Sequence, residues 1–123
     1  MGEEFGQCVW RWTPQTAGSG WRELGFEITP FLRQLASSDF EILFRQEAGG
    51  GVNIREIVVK QDGIVIFRDT HDGDAGPAGN RNNTYHFHLP MVVPNASYTL
   101  TTTVCMEEKS QPAGALWLRP MPK

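Results

Sequence analysis

Glycine and proline punctuate this chain so often that long helices have little room. Thirteen Gly and eight Pro in 123 residues interrupt it about every six residues, a spacing that favours short strands joined by turns. The strands announce themselves by alternation. Phe40, Ile42 and Phe44 share one parity, with Glu41, Leu43 and Arg45 on the other, the pattern of a strand buried mainly on one side. In Val52–Lys60 the apolar phase runs 52, 54 and then 57, 59, and a slip by one residue predicts a β-bulge near Arg55-Glu56. Asp62-Gly63 separates this run from Ile64-Val65-Ile66-Phe67, the signature of a hairpin. Tyr85, Phe87 and Leu89 alternate with His86 and His88, and Tyr98, Leu100, Thr102 and Val104 alternate with Thr99, Thr101 and Thr103, as antiparallel strands wet on one side do.

Cys8–Thr13 and Trp21–Thr29 add strands at the start and Ala115–Arg119 one at the end. About eight strands result, predicting an all-β antiparallel sandwich of jelly-roll type. Pro30–Leu35 reads as a loop with a hydrophobic plug, because Pro30, the short length and Ser37-Ser38 weigh against a packed helix. The length fits one domain, residues 1–123, with room for a single core. Cys8 and Cys105 allow either one long-range disulfide or two buried thiols.

Charge and hydropathy narrow the partners. A net charge of −3 lacks the basic excess that drives phosphate-backbone binding, so no nucleic-acid partner is expected. No apolar run approaches the ~18 residues of a membrane span, so no membrane is expected either. Met1-Gly2-Glu3-Glu4 has neither the basic start nor the apolar stretch of a signal peptide. Either the protein is cytosolic or this is a module whose signal lies elsewhere.

The segment from Asp69 to Asn83 links two predicted strands and is long for a loop without structure of its own. It carries Asp69, Asp72 and Asp74, with Asn80, Asn82 and Asn83 beyond them. These hard oxygen donors suit Ca²⁺, although the EF-hand spacing is missing. The other reading is turn chemistry, with Asp and Asn making Asx-turns and Gly73, Gly76 and Gly79 taking φ > 0. His71, His86 and His88 are the three histidines, which raises a small metal enzyme as one alternative. His86-x-His88 resembles a fragment of the cupin metal motif, yet the Glu that motif requires does not follow. On the other reading these two residues bond across a strand pair on the solvent face. Neither a Gly-x-Ser-x-Gly elbow nor a phosphate loop occurs.

Aromatic residues suggest a different function. Trp10, Trp12 and Trp117 are candidate stacking platforms for a sugar ring. Trp10 and Trp12 share a parity around Arg11, Trp21 opens the next strand, and Trp117 opposes the parity of Leu116 and Leu118, so it faces away from the core they set. Tyr85, His86 and His88 join the candidate ligand-binding set. The alternative is that the tryptophans pack under loops.

The run from Phe67 to Leu89, with Asp69-Thr-His71-Asp-Gly73 followed by Asn82-Asn83-Thr-Tyr85-His-Phe-His-Leu, resembles a segment of the accessory β-sandwich modules appended to bacterial family 20 β-hexosaminidases and other secreted glycoside hydrolases. Val52–Gly63, Trp12-Thr-Pro, Ser97-Tyr-Thr-Leu and Leu116-Trp-Leu follow the same pattern in the same order. Ala75 stands where Thr is common, and Pro77-Ala78 lengthens the loop. The resemblance implies a non-catalytic module, secreted or periplasmic, that binds glycan or polysaccharide beside the catalytic domain of a parent enzyme. It also implies that Asp69, His71, Gly73, Gly76, Asn82, Asn83 and Tyr85 matter, with stapling of the loop as one role for them. A structural or protein-interaction module without glycan binding is the alternative.

Overall fold

The computed structural model describes residues 6–13, 15, 19–35, 37–76, 79–107 and 111–121. Met1–Glu4, Pro14 and Pro77-Ala78, to which the sequence reading gave meaning, lie outside these. Among the described residues the order is β1 (Gln7–Trp12), β2 (Ser19–Glu27), α1 (Thr29–Leu35), β3 (Asp39–Ala48), β4 (Val52–Gln61), β5 (Ile64–Asp69), β6 (Gly73–Gly76), β7 (Gly79–Arg81), β8 (Thr84–His88), β9 (Tyr98–Glu107) and β10 (Ala113–Pro120). One antiparallel sheet runs β1-β10-β3-β8, and the other runs β2-β9-β4-β6-β7 with β5 also paired to β4. The two pack face to face as an all-β sandwich, and the chain crosses between them repeatedly, as a jelly roll requires.

The inner faces explain the packing. Phe40, Ile42, Phe44, Tyr85, Phe87, Leu116 and Leu118 from the first sheet are buried against Val52, Ile54, Ile57, Val59, Leu100, Val104 and Met106 from the second. The Phe67 and Phe87 rings meet across the gap, with centroids 5.7 Å apart. The predicted bulge is present as a register shift between Ile54 and Glu56. At the Asp62-Gly63 hairpin both residues have positive φ, 51° and 84°, the backbone that a two-residue type I′ turn demands.

Two expectations are corrected. Residues 29–35 form a helix, with Thr29 and Leu32 buried. Pro30 does not oppose it, because the N–H that proline lacks has no intrahelical partner in a first turn. The second correction concerns the long loop. Val52, Asn53 and Ile54 pair with Ala75, Asp74 and Gly73, and β6 then pairs with β7, so much of the segment is sheet. β5 and β6 lie end to end along one side of β4, and the break between them at 70–72 faces the bulge.

Cys8 and Cys105 are free thiols, each half-buried and not buried as expected. Cys8 pairs with Trp117 on the outer face of the first sheet, and Cys105 pairs with Trp21 on the outer face of the second. A sandwich core about 10 Å thick separates the two faces, beyond the reach of a disulfide.

Candidate functional site

The break between β5 and β6 is held by His71. One ring nitrogen, Nδ1, lies 2.8 Å from Asp69 Oδ1, and the other, Nε2, lies 2.9 Å from the Asn82 carbonyl. The ring stacks on Tyr85 with centroids 4.0 Å apart and planes 11° from parallel. Tyr85 in turn donates its hydroxyl to the His71 carbonyl at 2.9 Å. Burial, with the Asp69 and Asp72 charges beside it, holds the Tyr85 phenol well above its ordinary pKa. Asn83 is also structural: its side chain donates to the Phe44 carbonyl at 2.6 Å, and the Phe44 N–H donates back to the Asn83 carbonyl. A side chain at Gly73 would collide with the Asn82 carbonyl, while Gly76 packs on the Gly51 backbone. His71, Gly73, Gly76, Asn82 and Asn83 thus staple the segment, and Tyr85, fully buried, belongs with them and not on a binding surface.

The histidines do not converge. His86 and His88 project from β8 on the outer face of the first sheet, where register sets them opposite Glu41 and Asp39. His86 Nε2 lies 2.7 Å from Glu41 Oε2 and His88 Nδ1 lies 2.7 Å from Asp39 Oδ1. Arg119 reaches the other Glu41 oxygen from β10, closing an Arg–Glu–His row over three strands. His71, at the inward-facing Tyr85, is not part of it.

The three aspartates do not converge on one point. Asp69 is engaged by His71, Asp74 lies 3.7 Å from the Arg81 guanidinium, and Asp72 and Asp74 line one recess. Among the described residues no group of three or more His, Cys, Asp or Glu side chains is placed to hold a metal ion.

The tryptophans sort by exposure. Trp12 is a core residue, 1% exposed, and Trp10 is half-buried, with its ring 5.7 Å from Trp12 and 5.3 Å from Phe26. Both point inward because their shared parity is the core parity of β1. Trp117 does face away from Leu116 and Leu118, as its parity predicts, but it is only 8% exposed on its sheet face. The exposed tryptophan is Trp21, at 46%. Its signal was in the sequence: Trp21 has the parity of Glu23 and Glu27, whereas Leu24 and Phe26 have the parity of the core.

Trp21 lies at a recess of about 420 Å³ that is also lined by Asn53, Arg55, Asp72 and Asp74. Register brings them together, since Trp21 pairs with Cys105, Cys105 with Asn53 and Asn53 with Asp74 across β2, β9, β4 and β6. The β4 bulge aims Arg55 over β9, and its guanidinium rests 4.0 Å from the Trp21 ring centroid, a cation–π contact. Among the described residues Arg55 and Asp72 have no ion-pair partner. A guanidinium over one face of a partly exposed indole therefore stands beside a carboxylate that has no ion-pair partner among the described residues. A larger groove, about 1070 Å³, lies at one end of the sandwich between α1, Asp39, Met121 and residues 90–95, and none of the predicted site residues lines it.

No family model matches this sequence, and no characterised protein matches it. Among the described residues no helix is long and apolar enough to cross a membrane.

Proposed function

We propose that this chain is a non-catalytic carbohydrate-binding module that holds glycan or polysaccharide at the Trp21 recess. The observation that carries the reading is the exposed indole of Trp21 beside Arg55 and Asp72. With Arg55 over the ring, the exposed part of the indole offers the C–H groups of a sugar an apolar partner. Around it the Asn53 amide, the Arg55 guanidinium and the Asp72 carboxylate can exchange hydrogen bonds with hydroxyl groups, since hydroxyls both donate and accept. A few fixed polar groups beside an apolar wall are the common recipe of small-ligand sites. The net charge of −3 suits a neutral ligand better than a polyanion. The resemblance to modules of bacterial family 20 β-hexosaminidases supports the same reading. It makes the partner a catalytic domain of a secreted or periplasmic parent enzyme. Calcium has no part in the proposed site. Affinity electrophoresis through soluble polysaccharides, followed by calorimetry with oligosaccharides, tests the proposal. Trp21→Ala is expected to weaken binding by about 1–3 kcal/mol, the scale of a base stacked on an aromatic side chain. Absence of retardation by every polysaccharide, or unchanged affinity in Trp21→Ala, refutes it.

One observation favours a second reading, a docking role. Ile64, Val65 and Ile66 on β5 are 69%, 42% and 41% exposed, and β5 pairs only with β4 among the described strands. Exposed apolar residues on an edge strand invite a neighbouring surface. Amide hydrogen exchange distinguishes this role: docking protects residues 64–66 in the full-length parent relative to the isolated chain, and equal exchange in both excludes it.

A further inference from the structure

We propose that the bound glycan is an extended chain of several sugar units lying along β9, running from the Trp21 recess toward Glu27, and not a single terminal sugar seated in the recess. The proposal rests on the glycan-binding reading of Trp21. Directly opposed residues of an antiparallel pair share a face, so register defines what borders β9 on the outside. Cys105, Thr103, Thr101 and Thr99 are flanked row by row by Trp21, Glu23, Gly25 and Glu27 on β2. On β4 the same rows meet Asn53, Glu56, Val58 and Lys60. The other β9 parity, Tyr98, Leu100, Thr102, Val104 and Met106, is buried inside. The recess is thus one end of a lane that spans roughly 20 Å from residue 105 to residue 99 at the usual rise of a strand.

Arg55 crosses β9 at the recess end, where its guanidinium lies over Trp21; from Thr103 to Thr99 the rows are polar apart from the buried Val58. Glu23, Gly25 and Glu27 are exposed, and a Cβ built on Gly25 meets nothing within 4 Å, so its β2 side is unobstructed between the two glutamates. On the β4 side Arg68 and Glu56 form a wall, 3.8 Å apart. The half-exposed Thr99, Thr101 and Thr103 hydroxyls along the floor both donate and accept, the Glu23 carboxylate accepts and Lys60 donates, while Glu27 already accepts from Ser97 and Thr29 and Glu56 is paired with Arg68. Repeated hydroxyl-bearing rings match that sequence of groups, whereas an apolar peptide or lipid chain would find no apolar ridge to bury. The outer face of the first sheet offers no such lane: Glu47 closes on Arg11 and Arg45, and Glu41 on Arg119 and His86.

Calorimetry with cello-, xylo-, manno- and chito-oligosaccharides of two and six units tests the inference on the wild type and on Gly25→Gln, which lays a side chain across the lane. Thr101→Lys serves as a second block, and melting curves show that each variant is folded. In the recognised series the hexasaccharide is expected to bind about tenfold or more tighter than the disaccharide. Either block brings the hexasaccharide down to the disaccharide's affinity and leaves the disaccharide unchanged. Equal affinity for both lengths in the wild type, or a length dependence that survives both blocks, overturns the inference while leaving the Trp21 reading intact. Silence of all four series overturns both.

Discussion

Replacing His71 by Phe isolates the hydrogen bonds that fasten β5 to β6. The variant keeps an aromatic ring over Tyr85 but loses the ring contacts to Asp69 and to the Asn82 carbonyl. A hydrogen bond to a charged group is worth about 1.5–3 kcal/mol when buried. The His71 and Asp69 side chains are 37% and 30% exposed, and solvent screening at that exposure brings the value to about 1 kcal/mol. The bond to the Asn82 carbonyl adds about 0.5–1 kcal/mol. His71→Phe is therefore expected to lose about 1.5–2 kcal/mol, while His71→Ala, which also gives up the stack, loses about 2–3 kcal/mol. For a domain of this size these translate to drops in Tm of roughly 5–10 °C and 6–15 °C. Urea denaturation with an unchanged slope, read beside calorimetric Tm, checks both values. Amide exchange should show faster opening confined to residues 70–83. A His71→Phe variant melting within about 2 °C of wild type would mean that the staple contributes nothing and that the segment is held by β6 pairing alone.

Other outcomes follow from the same region. The buried Tyr85 phenol keeps its proton in the folded state to higher pH than in the unfolded chain, so its stabilisation is complete below the ordinary tyrosine pKa of about 10 and is lost as pH rises beyond it; Tyr85→Phe should flatten that alkaline limb in Tm against pH. Gly73→Ala places a methyl against the Asn82 carbonyl, and equilibrium unfolding should show a loss of about 2–3 kcal/mol. Because Asp69 and Asp74 are engaged by His71 and Arg81, excess EDTA should leave the melting curve unmoved, and a lowered Tm would reinstate a cation site at this segment.

How much of this was legible in the chain depended on where each signal lay. Strict alternation marked β3, β8 and β9, a phase slip located the β4 bulge, and Asp62-Gly63 marked its hairpin, because each is a local consequence of strand geometry. β6 and β7, with Gly73-Asp-Ala-Gly76 and Gly79-Asn-Arg81, carry no alternation of their own. They are strands because β5, running beside β4, delivers the chain to a free stretch of its edge. Pro30 misled because a residue that breaks a helix interior suits a helix start. Among the aromatics, parity on β2 would have selected Trp21. For Trp117 parity gave the right face, whereas its low exposure depends on neighbours that strand spacing does not reveal.

The pairing of β1 with β10 has a consequence for how such a domain is joined to others. Gln7 sits opposite Leu118, so the first and last strands run side by side and the described chain closes almost into a ring. A domain with that closure can be spliced into a surface loop of a host protein with little separation of the host's two ends. The same pairing allows the described strands to be permuted, with β10 linked to β1 and a break opened at Gly49-Gly50-Gly51, where the chain passes between the two sheets.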